Sequence, residues 1–185
     1  MQHANVLDLQ HTALVIIDMQ ESFRSVITDF PEMAAHIALV AHAAHLLKLP
    51  VLITEQYPKG LGPTASEIRA VLPPGQEPIE KTAFSSCGAQ SFVSLLQQTG
   101  AQQILVCGIE AHICVNQTTH DLLARGYQVH LLTDCITARS AQNRDVALAK
   151  MRQSGALPSS TEMALFELVR DSQHKQFKAV QKLIR

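Results

Sequence analysis

The chain has 185 residues, with 15 Lys and Arg against 16 Asp and Glu, and a formal net charge of −1. This length fits one domain with a sizeable core, so we expect a single domain over residues 1–185. The charge balance and the aromatic content of 4% argue against binding to nucleic acid or to an anionic membrane. The apolar runs are too short for a membrane helix and the N-terminus lacks a signal-peptide pattern, which predicts a soluble, cytoplasmic protein.

Apolar runs alternate with helical patterns along the chain. Residues 13–17 form a continuous apolar run that ends in Asp18, which is typical of a strand buried on both faces. A helix opened by Pro31 and ended by Pro50 follows, with apolar residues repeating along one face. Similar reasoning predicts further strands over residues 51–54, 77–81, 103–107, 127–133 and 156–157, and helices over residues 66–71, 89–98, 112–125, 141–154, 161–170 and 174–183.

This alternation predicts βαβ units with right-handed crossovers. We therefore predict an α/β fold with three α/β/α layers, a Rossmann-like arrangement around a mostly parallel, six-stranded sheet. Ligands of such sheets bind beyond the carboxyl ends of the strands, where the strand order reverses. The segments that reach this edge are Asp18, residues 54–57, Lys81 and residues 108–114.

Asp18, Lys81 and Cys114 are the chemically useful side chains at this edge. Taken singly, Asp18 is typical of a loop or helix cap, Lys81 of a solvated surface, and Cys114 of core packing. Cys114 also lies near the start of the helix that follows the fourth strand. At a helix N-terminus the dipole and the free N–H groups lower the pKa of a thiol and can bind an oxyanion.

The other three cysteines have no CxxC spacing, and we expect all four to be free thiols. Cys107 lies inside an apolar strand and Cys135 follows the fifth strand, so packing explains both. Cys87 follows Lys81 by six residues and stays as a rival nucleophile. A thiol redox or detoxification protein that uses Cys87 and Cys114 is therefore one alternative.

Three segments together resemble the isochorismatase-like cysteine hydrolases, a superfamily that includes nicotinamidases and N-carbamoylsarcosine amidohydrolases. They are Leu14-Val-Ile-Ile-Asp-Met-Gln20, Lys81-Thr-Ala-Phe-Ser85 and Val106-Cys-Gly-Ile-Glu-Ala-His-Ile-Cys-Val115. Each segment alone is weakly specific, but they occur in the family's order and each lies at a strand end. The resemblance extends from about residue 12 to residue 166.

The resemblance implies an Asp–Lys–Cys triad with Asp18 as general base, Lys81 as the supporting cation and Cys114 as the nucleophile. Such a site cleaves a small amide-type C–N bond through a thioester. The family also implies a cis peptide between Ile109 and Glu110, with the backbone N–H groups of Glu110 and Cys114 forming the oxyanion hole. Family members commonly assemble, so the resemblance also implies a homo-oligomer, a dimer, tetramer or larger ring.

The chain departs from two branches of the superfamily. Nicotinamidases carry an Asp/His metal cluster after the second strand, whereas residues 54–63 here contain no His. Isochorismatases lack the cysteine that corresponds to Cys114. The sequence is most similar to the isochorismatase-domain-containing branch, which implies a hydrolase of a small molecule that uses no metal and no cofactor. A non-catalytic scaffold on the same fold is the remaining alternative.

The loops beyond the strands supply four candidates for a substrate pocket: Phe23, Gln56, Tyr57 and Phe84. Glu55 and Gln56 are read either as ligands of a substrate amide or as solvated loop residues. Among the histidines of the first long helix, His42 and His45 point away from the apolar stripe and His36 lies at its edge, which predicts a solvated face. His112 is two residues from Cys114 and therefore does not face it on a helix.

Overall fold

A computed structural model describes residues 3–184. All pairings within its six-stranded sheet are parallel. The strands are β1 (Thr12–Ile17), β2 (Val51–Gln56), β3 (Ile79–Lys81), β4 (Gln103–Gly108), β5 (Gln128–Ile136) and β6 (Leu157–Ser159), in the spatial order β3-β2-β1-β4-β5-β6. The predicted α/β class and six-stranded sheet are confirmed.

Helices cover both faces of the sheet and complete the predicted three layers. They are α1 (Phe30–Leu47), α2 (Pro58–Leu61), α3 (Ser66–Arg69), α4 (Gln90–Gln98), α5 (Asn116–Ala124), α6 (Ala141–Gln153), α7 (Thr161–Val169) and α8 (Phe177–Ile184). Within the described residues, no helix has both the length and the apolar composition needed to cross a membrane.

Strand β1 shows why its sequence is apolar without alternation. Leu14 and Ile16 pack into one core with α1, α7 and α8. Val15 and Ile17 pack into the other core, with α4, α5 and α6. Because successive side chains of a strand point to opposite faces, a strand covered on both sides must be apolar at every position.

Several element boundaries differ from the predicted ones. β2 continues to Gln56, and the loop that follows it contains the short helix α2. β5 continues to Ile136, because its register against β4 shifts: Val106 pairs with Leu131, whereas Gly108 pairs with Ile136. Such a shift is a bulge-like irregularity that adds residues to one strand. The apolar pattern of residues 127–133 does not indicate that β5 continues past it.

The strand order reverses at β1, which lies between β2 and β4. Asp18 directly follows β1, and Gly108 is the last residue of β4. This edge of the sheet is the place where α/β proteins bind ligands. Lys81 ends β3, two strands away, so its long side chain is needed to reach the same place.

Candidate active site

Asp18 and Lys81 form a buried ion pair at this edge. The Nζ atom of Lys81 lies 2.6 Å from Oδ2 of Asp18, and the two side chains are only 0% and 2% exposed. Asp18 has a left-handed backbone, with φ of 50°, and its N–H donates to the carbonyl oxygen of Thr54 at 3.1 Å. The turn after β1 therefore aims the carboxylate across β2 towards Lys81.

Hydrogen bonds from the neighbouring strands surround both charges. The hydroxyl of Thr54 donates to Oδ1 of Asp18 at 2.7 Å. Lys81 also donates to Oε1 of Gln56 at 2.8 Å and to the carbonyl oxygens of Ala83 and Phe84 at 3.2 and 3.0 Å. A buried ion pair is tolerated when such contacts replace lost hydration, and this set of hydrogen bonds supplies that replacement for both groups.

Gln56 and Glu55 make hydrogen bonds within the protein that the sequence analysis did not predict. Gln56 holds Lys81 through Oε1 and donates from Nε2 to the carbonyl oxygen of Thr82 at 2.8 Å, which uses part of the hydrogen-bonding capacity of its amide. Glu55 is buried and accepts from the N–H and the hydroxyl of Thr64 at 2.6 and 2.7 Å. Both belong to β2 and not to a loop, which removes the reading of solvated loop residues.

Cys114 is the fourth residue of a π-helical turn, Ala111–Val115, that leads directly into α5. The residue is 6% exposed, and Asp18 and Lys81 are the charged neighbours of its thiol. The structure therefore brings together the three side chains that the sequence placed at one edge.

The surroundings of the Cys114 thiol favour its protonated form. Burial raises its pKa to about 12, with the Asp18 carboxylate adding to the increase and Lys81 opposing it. The expectation that the helix N-terminus lowers this pKa is wrong, because desolvation and an adjacent carboxylate both disfavour a thiolate. A base must remove the proton when the sulfur reacts.

The backbone between β4 and Cys114 has two unusual features. Gly108 has φ of +116°, and a Cβ atom there would overlap the carbonyl oxygen of Ile17 on β1. The next peptide bond, between Ile109 and Glu110, is cis. The N–H of Glu110 donates to no other described residue, so it is available to a ligand.

The predicted aromatic pocket residues lie in different environments. Tyr57 and Phe84 are 57% and 53% exposed, whereas Phe23 is half-buried against the core. Tyr57 and Lys81 also line a groove of about 610 Å³ beside β3.

The remaining thiols lie apart from the triad. Cys107 and Cys135 are fully buried core residues, as the sequence predicted, and burial raises the pKa of Cys135 to about 12. Burial also raises the pKa of Cys87, whose charged neighbours are Arg125 and Asp121. These neighbours lie in α5 and directly after it, and the adjacent Ser86 accepts and donates hydrogen bonds with Thr118 of the same helix.

The histidines do not contribute to the triad. His36 and His45 are exposed and His42 is half-buried, in line with a solvated face. His112 has a buried Nδ1 atom without a partner among the described residues. In residues 3–184 no three His, Cys, Asp or Glu side chains cluster as metal ligands would.

Sequence reasoning missed Thr54, Gln56 as a support for Lys81, and Arg139. Arg139 follows β5 and binds the carboxylate of Glu110, with Nη2 2.9 Å from Oε1. For Thr54 the sequence did carry a signal, because residues 54–57 were placed at the carboxyl edge of the sheet. In the structure Thr54 pairs with Ile17, the residue before Asp18. Nothing in the sequence pattern indicates that Arg139 reaches the loop after β4.

A six-stranded parallel sheet with an Asp–Lys pair beside a buried cysteine is typical of the isochorismatase-like hydrolases. The family model of the isochorismatase domain matches residues 12–163. The isochorismatase domain-containing protein 2 of Macaca fascicularis is 47% identical over 93% of this chain and 82% of its own. The chain therefore belongs to the isochorismatase family.

Solved structures agree with this assignment. The MAR1 ribonuclease of Caenorhabditis elegans is 40% identical, with a TM-score of 0.92 over 97% of this chain and 92% of its own. YcaC of Pseudomonas aeruginosa, solved with hexane-2,5-diol and covalent acrylamide, is 25% identical, with a TM-score of 0.88 over 99% of this chain and 93% of its own.

Proposed function

We propose that this protein is a cysteine hydrolase that cleaves a small amide-type C–N bond, with Cys114 as nucleophile, Asp18 as general base and Lys81 as supporting cation. The observation that carries the proposal is the buried Asp18–Lys81 pair, 2.6 Å apart, beside the thiol of Cys114. A nucleophile, a base within reach and a third group that orients the base are the elements of covalent catalysis.

The first step joins proton transfer to nucleophilic attack. Because the pKa of Cys114 is about 12, Asp18 takes the thiol proton as the sulfur forms a bond to the carbonyl carbon. The C=O π electrons move onto oxygen, and the N–H groups of Glu110 and Cys114 bind the resulting oxyanion. Lys81 stays charged throughout and compensates the negative charge that moves between Asp18 and the sulfur.

The second and third steps regenerate the enzyme. Asp18 gives its proton to the leaving nitrogen, the C–N bond breaks, and an amine or ammonia departs from a thioester on Cys114. Asp18 then takes a proton from water, which attacks the thioester; the C–S bond breaks, and Asp18 returns that proton to the departing thiolate. The products are a carboxylic acid and the restored thiol, so the cycle proposed here involves no metal and no cofactor.

The surroundings of the site support a small-molecule substrate. Phe23, Tyr57 and Phe84 are proposed as pocket walls, since each belongs to a loop that follows a strand end. The four cysteines are free, which supports a reducing, cytoplasmic location. The proposed homo-oligomer would bury exposed apolar side chains such as Val146 and Met163, which are 63% and 52% exposed.

A substrate panel tests the proposal directly. We expect ammonia or amine release from at least one small amide or carbamoyl compound, and no release by Cys114→Ala. The panel also contains esters, and alcohol release from them would show whether the enzyme cleaves C–O bonds as well as C–N bonds. Iodoacetamide should label Cys114 faster than the other three cysteines, since the ammonium of Lys81 stabilises its thiolate. Equal slow labelling of all four thiols and no turnover would support a non-catalytic scaffold.

A disulfide between Cys87 and Cys114 after peroxide treatment would support the redox alternative.

The name of the Caenorhabditis elegans relative, a ribonuclease that is 40% identical, favours RNA as a second candidate substrate. Against it stands the net charge of −1, because RNA-binding surfaces are basic. Incubation of the protein with labelled single-stranded RNA decides the matter. Cleavage by the parent protein that disappears in Cys114→Ala would support ribonuclease activity at this site, whereas unchanged RNA would remove it.

A further inference from the structure

The carboxylate of Glu110 is held from two sides by one residue. Oε2 accepts from the backbone N–H of Arg139 at 3.0 Å, and Oε1 accepts from Nε and Nη2 of its guanidinium at 3.0 and 2.9 Å. The Glu110 side chain is 4% exposed, whereas that of Arg139 is 55% exposed. Burial disfavours the charged carboxylate, but the hydrogen bonds and the charge of Arg139 outweigh burial and lower the pKa of Glu110.

Backbone contacts continue this attachment along the loop after β4. The N–H of Ala111 donates to the carbonyl oxygen of Thr137 at 2.9 Å, and the N–H of Thr137 donates to that of Gly108 at 3.4 Å. Thr137 is itself fixed, because its hydroxyl lies 3.0 Å from both carboxylate oxygens of Asp29 at the start of α1. Residues 137–139 thus form a rigid support beside residues 108–111.

Glu110 is the point where this support meets the proposed oxyanion hole. The amide nitrogen of Glu110 is bonded to the Cα atom that carries this side chain, so a fixed carboxylate restricts the backbone rotations that would turn the N–H. That N–H has no acceptor among the described residues.

We propose that Arg139 is a positioning residue of the oxyanion hole, which acts through the Glu110 carboxylate to aim the Glu110 N–H at the carbonyl oxygen of the substrate. This inference rests on the proposed function, because it takes Cys114 as the nucleophile. Arg139 does not touch the reacting atoms; it makes an oxyanion donor available at the right place before the reaction begins.

Two thiol reagents separate this role from a general effect on Cys114. When the sulfur adds to acrylamide, an S–C bond forms, the C=C π electrons move onto the amide oxygen as an enolate, and the thiol proton ends on the α carbon. When the sulfur attacks iodoacetamide, an S–C bond forms and iodide leaves with the electron pair, so no charge builds on oxygen. Only the first reaction needs the oxyanion hole.

The experiment measures both labelling rates at Cys114 by mass spectrometry in the full-length protein. In Arg139→Gln, we expect acrylamide addition to slow by about tenfold, part of the loss seen when an oxyanion donor is removed, with iodoacetamide labelling unchanged. Arg139→Lys should recover part of the acrylamide rate, because it keeps the charge. Arg152→Gln, an exposed site on α6, is the matched control and should change neither rate.

A double variant shows whether Arg139 acts through Glu110. If it does, Arg139→Gln should have little further effect on acrylamide addition in a Glu110→Gln background. Equal slowing of both reagents, or no change in either, would overturn the positioning role while leaving Cys114 as the nucleophile. Failure of Cys114 to react selectively in the parent protein would overturn the proposed function and this inference together. Circular dichroism and thermal unfolding show whether each variant is folded. If Arg139→Gln does not fold, the two labelling rates are compared in Arg139→Lys instead.

Discussion

Lys81 and Asp18 meet through a 2.6 Å contact although they are 63 residues apart in the sequence. The pair acts on Cys114 in opposite directions, since the carboxylate of Asp18 raises the pKa of the thiol and the ammonium of Lys81 lowers it. Asp18 and Lys81 therefore have different effects on the thiol, although the sequence motifs name them together. This difference leads to tests in which the two partners behave differently.

Replacing each partner should change the reactivity of the thiol in opposite directions. Asp18→Asn removes a negative charge, so the pKa of Cys114 should fall and iodoacetamide labelling at pH 8 should become faster. Lys81→Met should make it slower. A change of one pKa unit corresponds to about tenfold in thiolate population. Asp18→Asn should lose hydrolysis by at least about 100-fold, the usual contribution of a general base, and Lys81→Met should lower it as well because the supporting cation is gone.

Labelling of Cys87 is the internal control for this pair of variants, because its charged neighbours are Arg125 and Asp121. Its rate should stay constant in both. Slower labelling of Cys114 in Asp18→Asn would mean that Asp18 helps the reaction with iodoacetamide as a base, and that this effect is larger than its effect on the pKa of the thiol. The opposed-charge interpretation would then be wrong.

The ion pair should also matter for stability. Lys81→Met leaves the Asp18 carboxylate buried with Thr54 as its side-chain donor, and breaking a buried pair in this way costs about 3–5 kcal/mol. Urea unfolding measures the change in the free energy of unfolding. Lys150→Met, at an exposed position on α6, should cost less than about 0.5 kcal/mol. Similar small losses in both variants would show that Asp18 is hydrated in the folded protein.

Gly108 should tolerate no side chain. In Gly108→Ala the new Cβ would overlap the carbonyl oxygen of Ile17, so β1 and β4 must separate. We expect a loss above about 4 kcal/mol, the range of the most damaging substitutions, or insoluble protein. Gly100→Ala is the control, because Gly100 also has positive φ but no atom lies within 4 Å of the added Cβ. Its cost should be about 1–2 kcal/mol, that of an L side chain in the left-handed conformation, and equal losses in the two variants would contradict the close-approach argument.

His130 should make the protein sensitive to acid. Burial lowers its pKa from 6.5 to about 4, so between these pH values the unfolded chain binds a proton that the folded chain does not. Stability is therefore complete above pH 6.5 and falls as the pH approaches 4, by about 3 kcal/mol for this residue. Urea unfolding at pH 7 and pH 4.5 should show a smaller difference in His130→Gln than in the parent protein. The exposed variant His45→Gln should keep the full difference, and an unchanged difference in His130→Gln would contradict the assignment.

The sequence predicted the chemistry of the site better than its electrostatics. Asp18, Lys81 and Cys114 could be placed together because each follows or ends a strand, and parallel strands share one carboxyl edge. The protonation of Cys114 could not be predicted, since it depends on how deeply the turn before α5 is buried. The roles of Gln56 and Arg139 were also hidden, because both depend on which loop lies beside them.

The sequence by itself determined the α/β class, the six strands, both apolar layers and the three residues proposed for catalysis. The class, the strands and the layers follow from hydrophobic periodicity and from the order of elements, which are local properties of the chain, whereas the three residues follow from their positions at strand ends together with the resemblance of their motifs to a family. Only the tertiary structure decided that Thr54 and Gln56 hold the ion pair, that Arg139 holds Glu110, and that Cys114 is a protonated thiol. Register, burial and contacts between distant segments determine these properties, and they come into existence only when the layers pack.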